Sequence, residues 1–286
     1  MPIVQKTLLT VSHLAKVRQR MIEAAKRGFH LVGIEVRRHH PDTPKAATST
    51  DIFNEIAARR HEFANKSAAE GTVRFLEFCL ENRHQSQAQL LQDIFVLFEL
   101  AGKRGGYFVE FGATDGVQIN NTVLLEREYG WTGVLAEPAR FWHERLHSNR
   151  KCFISTDCVW RESGATLTFN ETQDKELSTI NTLSDVDRLR WERVGGECYP
   201  VPTVSLMDLL KQANAPRVID YMSVDTEGSE FEILEAFDFN AYDVRVLTVE
   251  HNYTVNRARL YALLTNRGFV RKFEMFSQWD DWYVRH

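Results

Sequence analysis

Tyr107-Phe108-Val109-Glu110-Phe111-Gly112-Ala113-Thr114-Asp115-Gly116 decides the fold. Five β-prone residues run unbroken into a turn that carries two glycines. Glycine lets a chain turn sharply and lets backbone approach a ligand closely. The same kind of unit recurs downstream. A helical stretch, Asn120–Tyr129, stops at Gly130; Thr132–Ala136 reads as the next strand, followed by a helix over about 139–149 and a third strand, Cys152–Thr156. An irregular polar insertion (170–202) precedes a helix (Ser205–Gln212) and a fourth strand (Val218–Val224). A helix near Ser229–Phe237, a fifth strand (Val244–Val249) and a helix (Arg257–Arg267) follow. Strands alternating with helices predict βαβ units and a parallel sheet covered on both faces. Only Ser277–Asp281 separates the last two β-prone runs, Phe269–Phe276 and Trp282–Arg285. That spacing is too short for a crossover helix and predicts an antiparallel hairpin at the sheet end.

Upstream of the decisive stretch the pattern is helical. Leu14, Val17, Met21 and Ala25 form an apolar stripe within 5–27, a β-prone run follows at Phe29–Val36, and Arg38–Thr50 reads as a linker with two prolines. Helices are expected at roughly 51–64, 68–82 and 87–101. The chain therefore divides into an N-terminal helical region, 1–85, and an α/β domain, 86–286. With 43% hydrophobic and 26% charged residues it has the composition of a soluble globular protein. No apolar run approaches the ~18 residues of a membrane span, and no apolar segment resembles a secretory signal. A cytoplasmic location is expected. The net charge of −4 argues against nucleic acid as a partner. Residues 1–40 hold eight Lys/Arg against two Glu, leaving −10 on the remainder. Such a basic segment suits peripheral contact with an anionic inner membrane face, and the helices suit self-association. Cys79, Cys152, Cys158 and Cys198 lack a CxxC spacing and read as reduced thiols.

In an open α/β sheet, ligands bind beyond the carboxyl ends of the strands. The first such turn is E-x-G-x-x-x-G, not the G-x-G-x-x-G of dinucleotide enzymes. Its acidic flanks, Glu110 and Asp115, suit a cationic, hydroxyl-rich ligand better than a phosphate. S-adenosylmethionine is such a ligand. Glu137 ends the second strand, 21 residues past Gly116, where it can accept from ribose hydroxyls. Thr156-Asp157-Cys158 ends the third. Asp225-Thr226-Glu227-Gly228-Ser229-Glu230 follows the fourth strand and Glu250-His251 the fifth. Neighbouring strands would let Asp225, Glu227, Glu250 and His251 converge. Glu230 reads equally as a helix-start residue.

These segments, GYFVEFGATDGVQINNTVLLEREYGWTGVLAEP, VPTVSLMDLL and IDYMSVDTEGSEFEIL with the later Glu-His pair, resemble the FkbM family of S-adenosylmethionine-dependent methyltransferases. The likeness runs from about Ser86 to the C-terminus. It implies a class I methyltransferase (Rossmann-like) fold: a seven-stranded, mostly parallel α/β sheet with one antiparallel strand. It also implies O-methylation of a sugar hydroxyl in a glycan, glycolipid or glycosylated natural product, hence a sugar-containing acceptor. The implied cofactor residues are Glu110, Gly112, Ala113, Asp115, Gly116, Glu137 and Asp157, with Asn121 at the carboxylate end of the cofactor and Asp225 near its sulfonium.

Methyl transfer is an in-line displacement in which positioning supplies much of the rate. A sugar hydroxyl needs a base or a metal at neutral pH. His251 is the first candidate base and Asp225 or Glu227 the second. A third arrangement has Asp225, Glu227 and Glu250 holding Mg²⁺ or another divalent cation. In the insertion, Trp191 is placed to stack on a sugar and Arg188, Arg190 and Arg193 to meet anionic groups, while Leu177–Ile180 marks a lid edge. Two other classes stay open: a nicotinamide oxidoreductase, and a catalytically idle scaffold in polysaccharide assembly.

Overall fold

The computed structural model describes residues 66–285. The expectations for 1–65, including the basic helix, the linker and the helix at 51–64, lie outside the described residues. Two sheets organise the rest. The larger has seven strands: β1 (Tyr107–Phe111), β2 (Thr132–Ala136), β3 (Phe153–Ser155), β8 (Val218–Val224), β9 (Asp243–Glu250), β10 (Val270–Lys272) and β11 (Asp280–Val284). Between β3 and β8 lie β4 (Cys158–Trp160), β5 (Thr166–Glu171), β6 (Thr179–Ile180) and β7 (Glu197–Ser205), which form the second sheet.

The large sheet runs β10-β11-β9-β8-β1-β2-β3. β1 is parallel to both β2 and β8, and β8 to β9. β11 alone runs antiparallel, wedged between β9 and β10. The chain proceeds outward from β1 to β3, then crosses back to β8 on the other side, so the switch point lies between β1 and β8. These strands are near-continuous apolar runs because both faces are covered. One face packs Val109, Met222 and Leu247 against helices Leu206–Gln212, Glu230–Glu235 and Asn256–Asn266. The other packs Phe108, Leu135 and Trp282 against helices Lys66–Asn82 and Gln92–Glu99. There Phe75 stacks on Phe273 at 4.2 Å and Phe95 on Trp282 at 4.8 Å between ring centroids. Among the described residues, no helix is long and apolar enough to cross a membrane.

Two helices start later than their apolar spacing predicts, for the same reason. The helix expected over 87–101 spans Gln92–Glu99. Asp93 ties the preceding turn, accepting from Ser86 Oγ at 2.6 Å and Gln87 N at 3.1 Å. The helix expected from Asn120 starts at Val123, because Glu110 captures the Asn121 N–H at 2.9 Å and Asn120 Oδ1 accepts from Val123 N at 2.8 Å. In both, a side-chain acceptor takes donors of the segment ahead of the helix and holds that segment out of it. The run Phe269–Phe276 is a three-residue strand followed by a helical turn, Glu274–Ser277.

The insertion is not irregular. Its sheet is ordered β4-β7-β5-β6, with β5 antiparallel to β6 and β7, and β4 parallel to β7. Pro200 and Pro202 sit within β7 at exposed positions. Thr203 N donates toward the β5 side, to Ala165 O at 2.9 Å. By alternation the proline nitrogens face the other edge, which β4 covers only at Thr203–Ser205. All four cysteines are unpaired, and burial pushes the Cys79, Cys152 and Cys158 thiols up to about 12.

Candidate active site

The β1 turn folds against the β8 turn. Gly112 has φ +72°, and a Cβ there would stand 1.9 Å from the Asp225 carbonyl oxygen. No side chain fits so close an approach. Thr114, with φ +48°, carries the bend onward and donates its N–H to Glu137 at 2.9 Å. Asp115 folds the far side by accepting from Val117 N and Gln118 N, both at 2.8 Å. Gly116, at φ +78°, passes so near Arg150 that a Cβ would lie 2.6 Å from its Cγ.

Glu110 and Glu137 both brace this scaffold. Glu110 accepts from Asn120 Nδ2 (3.0 Å), Asn121 N (2.9 Å) and Thr122 Oγ1 (2.5 Å), with Arg150 at 3.9 Å. Burial still raises its pKa. Glu137 accepts from Thr114 N and, at 2.8 Å, Ala139 N, so it clasps the glycine turn to the end of β2. Burial lifts it to about 7. Each oxygen of Glu137 accepts one such bond and keeps lone-pair capacity for a ribose hydroxyl. Asp157 is half-buried just past β3, its N–H on Ser155 Oγ. Asn121 donates from Nδ2 to Ser223 Oγ at 2.9 Å, while its buried Oδ1 has no partner. An orphaned acceptor at the strand ends fits a ligand donor such as an ammonium. The expected contact with a carboxylate asks for the opposite polarity.

Asp225, Glu227 and Glu250 converge, with one carboxylate oxygen of each inside a set no wider than 4.8 Å. Asp225 retains some exposure and the other two are buried. Burial, then repulsion from Glu227, raises Asp225; burial, then repulsion from Asp225, raises Glu250. Glu227 is lifted to about 7 by burial, although Arg193 opposes the rise. It takes φ +58°, in the left-handed region that favours glycine. Glu230 behaves as a helix-start residue, its Oε1 accepting from Thr226 N and Gly228 N at 3.0 and 2.9 Å. Three close hard oxygen donors fit a divalent cation.

His251 is not aimed with the carboxylates. Its Nδ1 accepts from Tyr253 N at 3.0 Å, and Nε2 faces Asp281 at 3.7 Å. Asp281 is itself paired with Arg257 and Arg271, and its contacts with His251 and Arg257 keep it well below the usual carboxylate range in spite of burial. Asn252 and Asp280 escape the sequence reading, and Arg193 and Thr179 take roles it does not give them. Arg193 and Asn252 both donate to Glu227 Oε2; Thr179 Oγ1 donates to the Glu227 carbonyl at 2.9 Å; Asp280, paired in register with Glu250, is lifted by burial to about 7. The sequence reading assigns Arg193 to anionic groups of an acceptor. Arg193 is buried, gripping Asp187 with two nitrogens at 2.9 and 3.0 Å.

A family model described as the methyltransferase FkbM domain matches residues 110–282, more than half of the chain. The chain belongs to that family, and its α/β sheet with one antiparallel strand is the class I methyltransferase architecture. The fold is also similar to a precorrin-6y C5,15-methyltransferase from Geobacter metallireducens GS-15 (10% identity, TM-score 0.33, covering 63% of this chain and 71% of that one). A ribosomal protein L11 methylase from Lactobacillus delbrueckii subsp. bulgaricus is similar at 8% identity and TM-score 0.35, covering 68% of this chain and 77% of that one. No curated protein sequence matches the chain.

Proposed function

We propose that the protein transfers the methyl group of S-adenosylmethionine to a hydroxyl of a sugar-containing acceptor, with a divalent cation held by Asp225, Glu227 and Glu250. The observation that carries this reading is the convergence of those carboxylates beside the glycine turn, where Gly112 touches the Asp225 backbone. The turn, the Glu137 carboxylate and the unpartnered Asn121 Oδ1 fit a ligand with hydroxyls and an ammonium but no phosphate. A nicotinamide dinucleotide would need phosphate-facing backbone donors instead.

A cation in the carboxylate cluster would lower the pKa of a bound hydroxyl. Asp225 is the one of the three that keeps some exposure, so it takes the hydroxyl proton. Arg193 and Asn252 hold Glu227 in place beneath it. His251, with Nδ1 bonded to backbone, fixes the loop after β9 and takes no proton from the acceptor.

The test is mass spectrometry of glycans from cells with and without the protein, searching for a gain of one methyl group. The purified enzyme should lose transfer in chelator and regain it with Mg²⁺. Full activity in chelator would remove the cation from this reading. Adenosylhomocysteine binding with no transfer to any glycan would favour the idle scaffold.

A further inference from the structure

The hairpin β5–β6 is bolted down on both sides of the glycine turn. From its first strand, Glu171 accepts the Phe141 N–H at 3.3 Å, just beyond the end of β2. Tyr199 braces the same corner, accepting from Arg140 N at 3.0 Å and donating to Glu171 at 2.6 Å. From its second strand, Thr179 donates to the Glu227 carbonyl, just beyond the end of β8. β1 lies between β8 and β2 in the sheet. Two strand spacings amount to about 10 Å, the span that a paired Asn170–Thr179 base and two outreaching side chains cover. The base of the hairpin therefore lies across the carboxyl end of β1, above Gly112–Gly116.

The connecting loop, 172–178, is tethered in the same two directions. Trp142 Nε1 donates to Lys175 O at 3.4 Å from the β2 side, and Arg193 Nε to Leu177 O at 3.0 Å from the side of Glu227. Burial, then repulsion from Asp174 and from Asp115, raises the Glu176 pKa, so the loop carries Glu176 within electrostatic reach of the turn.

We propose that this hairpin is a flap that closes over the nucleoside cofactor, with Thr179 the positioning residue that latches it to the Glu227 backbone. Its base is fixed from both sides, and its loop hangs on a few hydrogen bonds. Cofactor exit then requires the hairpin to lift from its Glu227 side, which makes product release sensitive to the Thr179 latch. This inference rests on the methyl-donor reading of the glycine turn.

The test uses adenosylhomocysteine and the full chain. In hydrogen exchange, saturating adenosylhomocysteine should slow the amides of 172–178 at least about tenfold, since exchange there reports local opening. In stopped-flow displacement, Thr179→Val, which keeps the shape and loses the donor, should raise the dissociation rate roughly fivefold with little change in association. Binding that leaves 172–178 exchanging freely, or a Thr179→Val protein with a wild-type dissociation rate, overturns the flap alone. No binding at all overturns the cofactor site and the flap together.

Discussion

The two sheets of this protein are built on different terms. The large sheet is a set of apolar runs buried on both faces, and its order places β1 and β8 side by side at the switch point. The small sheet alternates exposed and buried positions along β7 and carries two prolines. The first supplies a rim of carboxylates; the second supplies the hands that hold the rim, through Arg193, Thr179 and Glu171. A sheet that forms the core tolerates little variation in its apolar residues. A sheet that grips a site through a few polar atoms is free to be irregular elsewhere.

That division can be broken by substitution. The largest effect falls on the rim: Asp225→Asn should lower methyl transfer by about 10²–10⁴-fold. Its adenosylhomocysteine affinity should be much less affected, because the turn and Glu137 are untouched; equal losses in both would show that Asp225 serves binding and not proton transfer. Next comes the core beneath the large sheet. Phe75→Ala removes a ring that meets Phe95, Phe273 and Trp282, and should cost about 3–5 kcal/mol in denaturant unfolding. Trp191→Ala, on the small-sheet side where the ring is 72% exposed, should change stability by no more than about 0.5 kcal/mol. A large loss there would show that the insertion is part of the folding core.

A separate effect is a slope with pH. Asp280 has an ordinary carboxylate value of 3.8 and is raised to about 7 by burial. The folded state therefore binds its proton more tightly than the unfolded chain does. Its contribution to stability is largest near pH 4 and declines as pH rises to about 7. Thermal midpoints of the cation-free protein should fall over that window, and Asp280→Asn should flatten the fall. An unchanged slope would mean that the proton resides elsewhere in the cluster.

The large sheet was readable because its signals are local. YFVEF, TGVLA and VIDYMSV match β1, β2 and β8 to within a residue, and each ends where an acidic or glycine turn begins. The glycine turn and the trio Asp225, Glu227 and Glu250 were readable for the same reason, as strand-end residues of neighbouring strands. The small sheet was not. Prolines inside β7 mimic a loop until its open edge is known, and β4 and β6 are two or three residues long. Nor does local sequence reveal how a side chain is spent. Glu110 looks like a ligand for a cofactor until Asn120–Thr122 is found wrapped around it. His251 looks like a base until Tyr253 doubles back onto its ring. Arg193 looks like a contact for an anionic acceptor, because its partners Asp187 and Glu227 are set by the tertiary fold.

The thiols offer a practical handle. Three of the four are held near 12 by burial, so they carry almost no thiolate at neutral pH and resist alkylation. Cys198 is the exposed one, and it stands on β7 opposite Asn170 of the gripping hairpin. A maleimide dye added to the unmodified protein would therefore settle on that one position and turn the small sheet into its own optical reporter.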